Sequence, residues 1–158
     1  MTKLPNSRHC FVCGLENGNG LQLSFYQDGP ERVVCNYTVP EHFQGYPDIV
    51  HGGIVAAMLD EVLGHVFMLK DPERFMFTGK LTTRYRHPVP VGQPLRLVGM
   101  VVKDNKRLAE SKAELYGPDD KLLAEAHGLL VPLPAGTLGD TDFEALGWKV
   151  YPDEEPAA

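Results

Sequence analysis

The chain has 158 residues, 43% of them hydrophobic and 23% charged, which suits one domain with a real core and excludes a disordered chain. A net charge of −6 counts against nucleic acid as a partner, because duplex binding calls for a broad basic surface. Three cysteines, an odd count, make no disulfide framework, and no uninterrupted apolar run reaches the roughly 18 residues of a membrane span.

The opening "MTKLPNSRHC" lacks the apolar centre of a signal peptide, so a cytoplasmic protein with no membrane partner is expected. Residues 1–20 are rich in Gly, Asn and Cys and read as an N-terminal arm. Alternation then begins. "LQLSFYQ" puts Leu21, Leu23 and Phe25 on one face, and "RVVCNYTV" does the same for Val33, Cys35, Tyr37 and Val39. Asp28-Gly29-Pro30 between them predicts a hairpin. "PEHFQGYPDIV" is a loop. A helix follows over 52–69, then four strands over 75–87, 95–103, 108–116 and 122–133, broken by "PVPVGQP", "DNK" and "GPDD". One helix followed by successive hairpins predicts an α+β domain over 21–133 whose sheet covers that helix. Residues 134–158 read as a peripheral acidic tail.

The helix is apolar almost all round, which predicts burial on every side. On a wheel of about 100° per residue, Gly53, Ala56, Ala57, Leu63, Gly64 and Phe67 share the face of Asp60. Its nearest neighbours are small and leave room beside the acid, with Glu61 competing for any role. At the helix start, unpartnered N–H groups and the positive dipole end meet Gly52 and Gly53, where a ligand oxygen can come close. Gly53 and Asp60 lie roughly 10 Å apart along the axis, too far to touch one carbonyl. If both serve the same carbon, two antiparallel helices from two copies must share the site.

"HGGIVAAMLDE", preceded by "EHFQGYPDIV" and followed by "LTTRYRHPVPVGQPL", resembles the hotdog-fold acyl-CoA thioesterases, nearest the phenylacetate-pathway and hydroxybenzoyl-CoA group. The opening "CFVCGLENGNGLQLSFY" is similar to a subset with a Cys-x-x-Cys-Gly arm, and the likeness runs over 10–132. The resemblance implies one long central helix wrapped by an antiparallel sheet of about five or six strands. It implies a homodimer or homotetramer that hydrolyses acyl-CoA thioesters, with no cofactor beyond the coenzyme A of the substrate. Carried over by position, a backbone N–H of Gly52 or Gly53 would polarise the carbonyl. Asp60 would act as nucleophile or as the base that activates water. Gln44 would supply a polar amide and Thr78 a hydroxyl that holds the attacking water. His51 would serve as acid or base, or brace the loop.

Lys106 and Arg107 beside the "DNK" turn, with Arg84, are candidates for the phosphates of coenzyme A. Met58, Phe67 and Phe77 are candidates for an apolar acyl pocket. His65 reads as a satisfied core histidine, while His87 and His127 carry no assignment. Cys10 and Cys13, with His9, raise a zinc reading, but a structural site wants four ligands and only one pair exists, so no metal is expected. The same fold also serves non-catalytic acyl-CoA binding or sensing modules, which is the rival reading. A hydratase would need an Asp–His pairing in a different motif, and that motif is absent from the sequence.

Overall fold

Alternating apolar and polar residues build the main antiparallel sheet, and the computed structural model describes residues 1–153. In chain order the strands are β1 (Thr2–Lys3), β2 (Tyr26–Gln27), β3 (Arg32–Thr38), β4 (Gln44–Tyr46), β5 (Ile49–Val50), β6 (Met76–Tyr85), β7 (Pro94–Lys103), β8 (Ala109–Tyr116) and β9 (Leu122–Pro132). Seven form one sheet in the order β1-β2-β3-β7-β8-β9-β6, while β4 and β5 pair as a separate hairpin. The main sheet is larger than the five or six strands expected because the arm adds β1 at one edge. The other edge is β6, ten residues long and paired on one side only.

The helix α1 (Gly52–His65) lies against the inner face of the sheet and tightens into a 3-10 turn over Val66–Leu69. Val55, Met58, Leu59, Val62, Leu63 and Val66 are buried against the sheet. Small inner-face residues let the helix come close. A Cβ added to Gly99 would sit 2.7 Å from Val62 Cγ2 and 2.9 Å from the Val62 carbonyl oxygen, a backbone atom that cannot turn aside. Gly99→Ala is therefore expected to destabilise the fold by about 1–3 kcal/mol, read as a lower urea midpoint at unchanged slope. Ser111, buried on β8, donates its hydroxyl to the Leu63 carbonyl at 2.9 Å, where the last helical turn leaves carbonyls free.

The stretch Gly52–Leu69 has 18 residues and a mean hydropathy of 1.5, long and apolar enough on composition to cross a membrane. Its place under the sheet accounts for that hydropathy. Burial on every side, expected from the sequence, is corrected. Gly52, Gly53, Ile54, Ala56, Ala57, Asp60, Glu61 and Gly64 form a strip that this chain covers only in part or leaves exposed.

One other expectation changes. Residues 21–27 do alternate, with Leu21, Leu23 and Phe25 buried, but only Tyr26–Gln27 joins the ladder. The arm takes the remaining backbone groups: Leu21 N–H donates to Phe11 O at 2.8 Å and Leu23 N–H to Val12 O at 2.8 Å. Part of the tail packs on the domain. Lys149 bridges to Asn6, and Trp148 packs edge-on to Phe75 at 5.2 Å while its Nε1 donates to Pro72 O at 2.9 Å. Residues 154–158 of that tail lie outside the described residues.

Candidate active site

The Asp60 carboxylate is fixed by one short contact: Thr78 Oγ1 donates to Asp60 Oδ1 at 2.6 Å. Thr78 reaches it because β6 slips register against β9 between Thr78 and Lys80, around Gly79. Before the bulge Met76 and Thr78 face the helix; after it Leu81 and Thr83 do. Both Asp60 and Thr78 line a cavity of about 240 Å³, walled by Cys10 and Cys13 from the arm, Gly64 and His65 from the helix, and Leu146 and Trp148 from the tail. That the arm and tail close this cavity was not read from the sequence, although Trp148, the single tryptophan, was a visible signal.

The helix start lies at the other end. His51 caps it, its Nδ1 accepting from the Gly53 N–H at 2.9 Å. In the neutral ring the proton then sits on Nε2, and the Nδ1 lone pair is used in bracing the loop. Of the two glycine donors expected, one is thus occupied, and the Gly52 N–H has no acceptor among the described residues. Tyr85 donates its hydroxyl to the Gly52 carbonyl at 2.8 Å and anchors the turn to β6. Tyr46, Ile49, His51, Gly52, Tyr85 and His87 line a groove of about 660 Å³. Gly52 and Asp60 are about 12 Å apart along the axis, so within one chain a single carbonyl cannot touch both.

A family model described as "Thioesterase superfamily" matches residues 48–124, the segment with Gly52 and Asp60. A solved structure of a thioesterase superfamily protein, RHA08564, superposes with a TM-score of 0.72 at 30% identity, covering 78% of this chain and 63% of that one. The chain is thus similar to the thioesterase superfamily in sequence and in fold. The acyl-coenzyme A thioesterase THEM4 of Rattus norvegicus is 29% identical over 125 residues, 78% of this chain and 53% of that protein. The chain thus spans about half the length of such relatives. The PaaI protein of E. coli, from the phenylacetic acid degradation operon, has a TM-score of 0.65 at 16% identity, covering 72% of this chain and 81% of that one, a likeness of fold alone.

The remaining expected residues fall in different places. Gln44 turns its Oε1 toward the Asp48 N–H at 3.4 Å, inside its own hairpin. Phe77 is 44% exposed on the free edge of β6. Arg84 lies on the outer sheet face in a cavity with Lys112, Glu114 and Glu125. Lys106 and Arg107 are exposed at the β7–β8 turn, where Asn105 Oδ1 accepts from the Arg107 N–H at 3.3 Å and the Leu108 N–H at 2.9 Å. Met58 is fully buried under the sheet, about 200° round the helix from Asp60, and does not line the Asp60 cavity. Phe67 is also buried and is not among the residues that line the Asp60 cavity. His65 is only half satisfied. Its Nδ1 lies 3.0 Å from the Glu61 carbonyl, and its buried Nε2 has no partner.

The arm brings two cysteines beside this site. Cys10 is held down at about 5, chiefly by the hydrogen bond from the Cys13 thiol, against a burial effect that opposes it. Cys13 is pushed up by the same bond and by burial. Glu61 is pushed up, first by burial, with His65 pulling the other way.

Proposed function

We propose that this chain hydrolyses acyl-CoA thioesters, with Asp60 driving the attack and the helix start binding the oxyanion. The observation that carries the reading is the Thr78–Asp60 contact at 2.6 Å on the wall of a cavity. A thioester is electrophilic and a thiolate leaves readily, so a positioned carboxylate and an N–H donor suffice without a serine or cysteine nucleophile. The name of the THEM4 relative points the same way, and the smu.793 protein of Streptococcus mutans, of like fold at a TM-score of 0.64, was solved bound to acetyl CoA.

The active unit in this reading is a homodimer. The half-covered strip of Ala56, Ala57 and Gly64 accepts an antiparallel helix from a second copy, and the ten-residue edge of β6, with Phe77 and Tyr85 exposed, offers a pairing edge. The partner's helix start then meets Asp60. Lys106 and Arg107 receive coenzyme A phosphates at the rim.

The test is a panel of short, medium, long and aromatic acyl-CoAs with free thiol followed by a chromogenic reagent. Turnover is expected; tight binding with no turnover would instead make the chain a binding module. Thr78→Ala is expected to lower kcat by about 10- to 100-fold while Thr78→Ser keeps most of it, since only a hydroxyl holds carboxylate and water together. Trp148 and Leu146 end the cavity, so Trp148→Ala is expected to raise the kcat/KM ratio of long over short acyl chains by about tenfold. An unchanged ratio would place the acyl chain elsewhere.

A further inference from the structure

One cluster on the arm side of the Asp60 cavity is not used by this chemistry. Cys10 Sγ, Cys13 Sγ and a carboxylate oxygen of Glu61 all lie within 4.8 Å of one another. We propose that these three side chains bind a thiophilic divalent cation of the zinc class, which fastens the arm to the helix and leaves a fourth position facing the cavity.

The ligand set is right for such an ion, since two sulfurs and one carboxylate select zinc over magnesium or calcium. The spacing is right too. Zinc with sulfur at about 2.3 Å and oxygen at about 2.1 Å in tetrahedral array sets S and O about 3.6 Å apart. Cys10 Sγ and Glu61 Oε1 are 3.6 Å apart.

The loop that carries the sulfurs is built to hold them. The N–H groups of Val12 and Cys13 point at Cys10 Sγ, at 3.3 and 3.5 Å, and Gly14 N–H closes the turn on Cys10 O at 2.9 Å. No other residue fits at Gly14, because a Cβ there would sit 2.3 Å from the Cys10 carbonyl oxygen. Behind the loop, fully buried Asn6 donates to Cys13 O at 2.8 Å and Leu23 O at 2.7 Å, and Ser7 Oγ accepts from Cys10 N–H at 3.1 Å. Such outer contacts orient metal ligands. Among the described residues no Lys or Arg pairs with Glu61; its one basic neighbour is His65, at 3.9 Å. Three acidic groups thus face one another without a strong cation between them. A disulfide would account for the two cysteines but not for the carboxylate brought to them from another element.

Reduced, chelator-stripped protein titrated with Co²⁺ in the absence of oxygen tests this directly. Thiolate-to-cobalt charge transfer and tetrahedral d–d bands are expected to saturate at one ion per chain, and Zn²⁺ is expected to displace them. Cys13→Ser is expected to lose most of the charge-transfer intensity. Where that variant fails to fold, Glu61→Gln, which keeps the packing volume, is expected to bind cobalt at least about tenfold more weakly. Folded, reduced parent protein without a charge-transfer band would overturn the site, and so would a Glu61→Gln variant that binds as tightly as the parent. Neither readout involves hydrolysis, so the result stands apart from the thioesterase reading.

Discussion

Asp60→Asn is expected to fold normally, to bind acyl-CoA, and to release free thiol about 10³-fold more slowly than the parent. The substitution keeps the volume and an oxygen to accept from Thr78 Oγ1, now 2.6 Å from Asp60 Oδ1. It removes the negative charge, and with it both ways the residue can act, as nucleophile or as base. Of the basic groups on this cavity wall, Asp60 is the one that Thr78 holds beside the position proposed for water. Circular dichroism and ligand-binding calorimetry separate lost chemistry from lost structure. Turnover within a few-fold of the parent would end the proposal.

Gly52→Pro separates activity from stability at the other half of the site. Gly52 is the first residue of α1, where proline's fixed φ near −65° is accepted and its missing N–H breaks no helical bond. His51, with ψ at 134°, already has the extended backbone that precedes a proline. A Cβ at Gly52 would touch the Tyr85 ring only at 3.8 Å, an ordinary contact. Thermal stability is therefore expected to hold or rise slightly. Loss of the free N–H is expected to lower kcat by about 10²- to 10³-fold, as for the loss of one oxyanion donor.

The same pair of variants tests sharing between copies. In a hybrid dimer, one site combines the intact Gly52 of the Asp60→Asn chain with the intact Asp60 of the Gly52→Pro chain. An equal mixture after subunit exchange is expected to recover about one quarter of parental activity, since half of the dimers are hybrids and each has one good site. No recovery from two folded, exchanging variants would contradict the shared geometry.

The helix was legible over 52–69 because its apolar density is high and its start carries glycines; the change from α to 3-10 winding at Val66 was not. The 3-10 turn at Val66–Leu69 follows directly on Leu63, whose carbonyl Ser111 holds from 48 residues away. Strands β7, β8 and β9 follow the expected breaks closely because turn residues there are strong. The bulge that aims Thr78 was signalled only by Gly79, one glycine in a strand pattern. Met58 went the other way: hydrophobicity marks a residue as buried without saying on which side of the helix.

By itself the sequence determined the order of elements and the helix with its glycine start, because these depend on local spacing, while the family resemblance singled out Asp60 over Glu61. Only the tertiary structure decided what surrounds that acid. Thr78, the arm's Cys10 and Cys13, and Trp148 come from segments 18 to 88 residues away by their numbering, and chain spacing holds no record of contacts made by folding back. The same physics set Glu61 beside the pair of cysteines, through the packing of the arm on the helix and not through any motif.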